Sequence, residues 1–458
     1  MIQHAHQRVA WKNRWTFMLA TAGSAIGLGN IWKLPYMIGV NGGSAFVLVF
    51  IACIFFVGIP LMMTEILLGR RAQKNPHDGM ATLASEASAS KHWRIIGGMG
   101  MLTGLLILGF YSVIGGWVLS YIWFALQNTF HTIDGAGIDA ATAKANFDAL
   151  LASPKILIFW HTIFMLMTMG VVARGVNQGL ERANNILIPA LFVILLILLG
   201  YSMAVGDFAA SSRFMFAPDF SKITPVAVLS ALGHAFFSLS LGMGAVMVYG
   251  SYLQRDISIA RTTIYIALAD TCLGLLVGLA IYALVFANHL EPAAGPGLIF
   301  QTLPIAFGHM PGGGTIGVLF FLLVAFAAWT SSISLVEPAI AWITENTQIS
   351  RMQSASMLGI VVWVLGVTVA LSFNDWSDIK IVFGLTIFET LDKLTSTILL
   401  PLGGLMMALF AGFVMKKNHV QEELGLKDAG FKCWRFTNNI IAPIAILAVF
   451  LYLFGLIK

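Results

Sequence analysis

The chain has 458 residues, 58% of them apolar and only 10% charged, with a mean hydropathy of +0.85. A soluble domain carries roughly 25% charge, so this composition excludes an ordinary soluble enzyme, and the net charge of +5 reads as loop charge at a membrane surface, not as affinity for nucleic acid. The three cysteines, Cys53, Cys272 and Cys433, fall in two apolar stretches and a loop, a placement that suits neither a disulfide nor a zinc site.

A membrane-crossing helix needs about 20 mostly apolar residues. In chain order such stretches run approximately over 16–38, 44–68, 95–127, 155–173 and 183–204, and then over 225–252, 259–287, 315–344, 353–373, 380–415 and 436–457. They predict an all-α membrane protein of about eleven transmembrane helices, one integral domain over 1–458, since no linker sets off a second unit. Met1 to Trp15 carries Arg8, Lys12 and Arg14 and lacks the short apolar run of a cleaved signal peptide. With that end cytoplasmic, 18 of the 26 lysines and arginines gather on the same side, from Arg8 and Lys12 through Arg70, Arg71 and Arg174 to Lys432 and Arg435. A multi-pass protein of the cell's inner (plasma) membrane follows, N-terminus cytoplasmic and C-terminus outside. The stretch 288–314 places Pro292, Pro296, Pro304 and Pro311 around an apolar segment too short to cross, and is expected to fold back as an outer hairpin or cap.

Two spans are interrupted at matching depth. The first reads Ala22-Gly23-Ser24-Ala25-Ile26-Gly27-Leu28-Gly29-Asn30, the sixth Phe237-Ser238-Leu239-Ser240-Leu241-Gly242-Met243-Gly244. Glycine costs roughly 1 kcal/mol against alanine inside a helix, and lipid cannot satisfy backbone groups freed by a break. Such runs persist where the backbone faces protein, water or a ligand. Close packing of small residues is the other reading, but it does not call for Asn30 and the serines. Interruptions in spans 1 and 6 also open two successive five-helix sets, the signature of an inverted repeat, here about 12–205 and 225–416, with an additional helix at 436–457.

These motifs, together with Ile31-Trp32-Lys33-Leu34-Pro35, Asn41-Gly42-Gly43, Trp329-Thr330-Ser331-Ser332 and Leu399-Leu400-Pro401-Leu402-Gly403-Gly404, occur in the order found in the neurotransmitter:sodium symporters. The chain resembles the bacterial, eleven-helix branch of that family from Arg8 to about Leu405. The resemblance implies sodium-coupled import of an amino acid, no enzymatic activity, and two Na+ sites. The substrate carboxylate would meet the amides of Leu28 and Gly29 and the Tyr111 hydroxyl. The ammonium would meet carbonyls of Ala25, Phe237 and Ser238 with Ser240 nearby, and Ser24 and Ser331 would complete the lining. One Na+ would take Ala25, Asn30, Ser238, Asp270 and the substrate carboxylate; the other would take the carbonyls of Gly23, Ile26 and Ala327 with the hydroxyls of Thr330 and Ser331. Hard cations favour such oxygen sets.

The family often has Asn where this chain has Asp270, drawing negative charge from chloride or from a Glu one turn on, which here is Gly274. Asp270 is therefore expected to carry the charge itself, making transport chloride-independent. By the same resemblance Ile107, Phe237, Met243 and Leu335 would line an apolar side-chain pocket, suited to hydrophobic or aromatic amino acids, with Phe237 and Tyr111 as its lid. Inner closure falls to Arg8, Trp11 and Glu345. At the outer closure Lys33 faces Thr395 where the family has an acid, with Asp392 one turn away, so its partner stays open, as does the role of His234. Glu65 is expected to bond backbone near the break in span 1, and Glu337 to be an interior acid. Partners are the amino acid, sodium and the bilayer, with no nucleic acid and a monomer or weak oligomer. A sodium channel or an amino-acid sensor on the same scaffold would need neither a full substrate cradle nor two closures.

Overall fold

The computed structural model describes residues 11, 14–132, 135–292, 295–453 and 456. Among these, extended backbone is limited to two isolated bridges, and nine helices are long and apolar enough to cross a membrane. They are Ser44–Ala72, Lys91–Leu126, Pro154–Ala173 and Gln178–Val205, which are spans 2 to 5, and Ile259–Ala287, Gly313–Asn346, Arg351–Leu371, Ile387–Val414 and Asp428–Leu453, which are spans 7 to 11. The other two crossings come in pieces. Span 1 is Arg14–Ala25 followed by Gly29–Lys33 and Leu34–Val40; span 6 is Pro225–Ser238 followed by Ala245–Ser251. The broken helices thus stand five apart, as the paired interruptions predict.

Two boundaries differ from expectation. Span 10 starts at Ile387 and not at 380, because Phe383 and Gly384 take positive φ (50° and 75°) in a tight turn closed by a Val382–Leu385 bridge. Span 11 starts at Asp428, eight residues early, as an amphipathic turn carrying Lys432 and Arg435 runs into the apolar stretch. The polar connections hold short helices of their own. Asn75 caps Pro76–Glu86, Asp139 caps Ala140–Leu151 and Asp207 caps Phe208–Phe216, each side chain accepting from a first-turn amide.

Spans 1 and 6 occupy the middle. From Thr21 to Ile31 every residue is buried, whereas spans 4, 5, 9 and 11 expose Phe159, Leu196, Ile360 and Ile444. A belt of that size suits acyl chains, not water. Small residues bring backbones together inside it: a Cβ on Gly69 would stand 1.8 Å from the Met247 carbonyl oxygen, and one on Gly104 2.5 Å from that of Leu335. Spans 2 and 3 therefore clasp spans 6 and 8 at distances only glycine permits. On the face opposite the chain's start, segment 288–314 does fold back, with a helix at Thr302–His309. Phe300 descends among Trp32, Trp117, Tyr121 and Phe147, and its carbonyl accepts from the Tyr121 hydroxyl at 2.7 Å.

Candidate functional site

The two breaks meet near the centre of the bundle. In span 1 the helix stops at Ala25; the Asn30 and Ile31 amides turn back to the Gly27 carbonyl, and the Leu28 amide donates to the Tyr111 hydroxyl at 3.0 Å. In span 6 the chain leaves the helix at Ser238 and passes through Ser240, Gly242 and Gly244 at φ 54°, 82° and 77°. Positive φ is unremarkable for glycine and uncommon for serine. The Ser240 hydroxyl, donating to the Ser24 carbonyl at 2.8 Å, ties one break to the other.

Glu65 fixes the second break. Its carboxylate accepts from the Gly242 amide at 2.5 Å, which corrects the expectation that it serves span 1. The reason lies in packing, because span 2 lies against the shorter piece of span 6, with Gly69 on Met247.

Asn30, Ser238 and Asp270 form one buried cluster. Asn30 Nδ2 donates to Asp270 Oδ1 at 2.6 Å and to its carbonyl at 3.0 Å; Ser238 Oγ lies 2.6 Å from Asp270 Oδ2 and 2.8 Å from Asn30 Oδ1. Ser238 has one proton for two acceptors. The oxygen-to-oxygen contact left over is the kind a cation relieves. Gly274, one turn further on, has its Cβ position 3.5 Å from Asn30 Cβ, so that position faces this cluster.

A second group of oxygens lies on the other side of span 1. Ser331 Oγ is within 3.2 Å of the Gly23 carbonyl, 3.1 Å of Ser24 and 3.4 Å of Ile26, while Thr330 Oγ1 is 3.1 Å from the Ala327 carbonyl on the same helical turn. One hydroxyl proton again serves several acceptors.

Beside the two groups lies a small cavity lined by Ser24, Ala25, Gly27, Gly29, Ile107, Tyr111, Phe237, Ser240, Met243, Ser331 and Leu335. Of the residues expected at a substrate, ten line it. Leu28 and Ser238 stand just outside, with Leu28 on a larger vestibule above. Phe237 and Tyr111 border both spaces and separate them. Gly27 was read only as part of a motif; a Cβ there would come within 2.4 Å of Ser331 Oγ and 2.7 Å of Tyr111 Oη.

The vestibule floor decides the outer pair. Lys33 Nζ is 3.2 Å from Asp392 Oδ1 and 5.0 Å above the Phe237 ring, whereas the Thr395 hydroxyl turns back to the Leu391 carbonyl. His234 is buried without a hydrogen bond, its ring 5.3 Å from that of Phe50, and so takes no part in that pair. Toward the face where the chain begins, the Trp11 indole donates to the Tyr249 carbonyl and packs edge-on against Phe17, Tyr249 and Tyr252. Glu345 accepts from the Asn75 amide and side chain, and Glu337 is paired with Arg351 while accepting from Tyr252. Burial would raise the Asp78 carboxyl beside them, but donors from Asn75, Asn346 and His77 hold it below its ordinary value. Arg8 lies outside the described residues.

The sequence matches the model of the sodium:neurotransmitter symporter family over residues 8–134 and 154–457. The chain belongs to that family. Among relatives of this symporter, the sodium-dependent transporter YhdH of Bacillus subtilis is 35% identical, with 98% of each chain covered. A sodium-dependent transporter of Haemophilus influenzae is 34% identical over 98% of this chain and 99% of its own. The structure superposes on the crystal structure of MhsT in complex with L-phenylalanine with a TM-score of 0.89, at 39% identity, covering 97% of this chain and 99% of that one. The symporter is thus a sodium-dependent transporter with a small-molecule substrate, a multi-pass membrane protein and not an enzyme.

Proposed function

We propose that this symporter imports hydrophobic or aromatic amino acids, each carried with two sodium ions, by alternating access and without chloride. The observation that carries the reading is the meeting of two unwound backbones around one cavity, with a surplus of oxygen acceptors beside it. The substrate carboxylate sits at the Leu28 and Gly29 amides with Tyr111, and its ammonium at the carbonyls of Ala25, Phe237 and Ser238 beside Ser240. Exposed amides at a half-helix N-terminus suit an anion, and exposed carbonyls a cation. One Na+ takes Ala25, Asn30, Ser238, Asp270 and the carboxylate; the other takes Gly23, Ile26, Ala327, Thr330 and Ser331. The shared carboxylate supplies the coupling, since each ligand completes the other's coordination and the linkage is reciprocal. Ile107, Met243 and Leu335 take the side chain. L-phenylalanine in the superposing MhsT complex supports that choice.

Closure alternates between Lys33–Asp392 over Phe237 on one face and Arg8, Trp11 and Glu345 on the other, the latter cytoplasmic in the inner membrane. Two repeats, about 12–205 and 225–416, rock around the site. Proteoliposomes with an inward sodium gradient should accumulate labelled leucine, phenylalanine or tryptophan above the outside concentration, at equal rates in chloride and gluconate. Equilibration without accumulation would favour a channel, and strict chloride dependence would refute the role given to Asp270.

A further inference from the structure

On the face where the chain begins, the end of span 4 meets the start of span 5 in a pocket lined by two arginines and no acid. Gly175 turns the chain at φ 88°, and a Cβ on Gly179 would stand 2.1 Å from the Val171 carbonyl oxygen, so span 5 doubles back tightly against span 4. Arg174 and Arg182 thereby come to line one pocket, with Gln178 between them in sequence. Both are exposed, and among the described residues neither has an ion pair or a hydrogen bond. Other arginines on that face are neutralised, Arg70 by Glu423, Arg71 by Glu86 and Arg351 by Glu337. Glu181, next to Arg182 in the chain, is buried and accepts from Thr16 of span 1 instead.

Beyond the arginines the pocket is apolar, walled by Val171, Ile186, Leu187 and Trp329. Ile186 is 60% exposed, in the belt that Leu166 of span 4 and Val193 of span 5 continue. The groove is thus open to acyl chains from the side. The Trp329 indole N–H is buried and has no acceptor. A guanidinium presents a planar fork that matches phosphate oxygens, and a basic pocket between membrane helices suits an anionic lipid head. A charged rim over an apolar groove fits a molecule with both parts, which a free anion lacks. We propose that this pocket binds an anionic phospholipid, its phosphate between Arg174 and Arg182, a glycerol ester carbonyl at the Trp329 indole, and one acyl chain along Ile186.

The test is native mass spectrometry of the full chain in detergent, titrated separately with phosphatidylglycerol, phosphatidylcholine and inorganic phosphate. At the first site filled, phosphatidylglycerol should bind about thirtyfold more tightly than phosphatidylcholine, the gain expected of two cations beside an anionic head. Arg174→Gln with Arg182→Gln should bring the ratio near one. Lys432→Gln with Arg435→Gln, which removes two exposed cations at the start of span 11, should leave it unchanged. Ile186→Trp keeps both arginines but fills the groove; it should weaken phosphatidylglycerol about tenfold, roughly two methylenes of lost acyl burial. This variant serves if the arginine substitutions prevent folding. Equal binding of the two lipids, a ratio undiminished by the arginine substitutions, an equal loss from the Lys432 and Arg435 substitutions, or unchanged affinity in Ile186→Trp would each overturn the proposal. Displacement of the lipid by equimolar inorganic phosphate would overturn it too, leaving a site for the free anion.

Discussion

The two breaks solve one problem by different means. In span 1 the interruption is short, stays at ordinary φ, and lends its freed Leu28 amide to a side chain, the Tyr111 hydroxyl, that a substrate carboxylate can join. In span 6 the interruption is longer, passes through three positive-φ residues, and is pinned from behind by the buried Glu65 carboxylate on the Gly242 amide. Span 10 closes on it as well: a Cβ on Gly242 would lie 2.2 Å from the Leu400 carbonyl oxygen. Span 1 thus turns its freed Leu28 amide toward a group that a substrate can join, whereas the Gly242 amide of span 6 is taken up by protein. Unwound main chain can be a binding surface only where something else holds it unwound.

The largest effect that would sharpen this contrast is expected at Asp270. Asp270→Ala leaves a sodium ion beside Asn30 and Ser238 without its counter-charge, a loss of about 3–5 kcal/mol, seen as sodium affinity weakened by about two to four orders of magnitude in substrate-binding titrations. Next come two glycines that should fail differently. Gly242→Ala forces a side chain into φ 82° and into span 10, costing about 2–3 kcal/mol and lowering the melting temperature in detergent. Gly27→Ala places its methyl against Ser331 and Tyr111 in the cavity, so binding should be lost while the melting temperature barely moves. Equal destabilisation by both would break the distinction between the breaks. The smallest effect belongs to the vestibule floor. Lys33 and Asp392 are partly exposed, at 16% and 35%, so Lys33→Ala should cost about 0.5–1 kcal/mol. A few-fold rise in KM, reversed by Lys33→Arg, would register it.

Much of this was legible in the sequence because glycine and serine runs inside an apolar stretch have few explanations, and eleven crossings with breaks in the first and sixth follow from them. What escaped depends on reach and on turns. The partner of Lys33 could not be chosen between Thr395 and Asp392, since one helical turn separates them and only packing shows that Thr395 bonds its own backbone. Glu65 carries no sign of which break it serves; that depends on the approach of Gly69 to Met247. The apolar residues Ile381 to Phe383 look like the start of span 10 until the positive φ of Phe383 turns them aside. Ser334 is an ordinary serine in an apolar helix, and its hydrogen bond to Ser24 spans 310 residues of chain.

The central claim is that one substrate carboxylate is shared between the backbone of span 1 and a sodium ion held by Asn30, Ser238 and Asp270. Equilibrium binding of labelled tryptophan or phenylalanine to the purified protein, titrated over a range of sodium concentrations, tests it directly. Affinity for the amino acid should rise with sodium, and affinity for sodium should rise by the same factor with the amino acid, the coupling falling away in Asp270→Ala. Amino-acid affinity that does not change with sodium would contradict it.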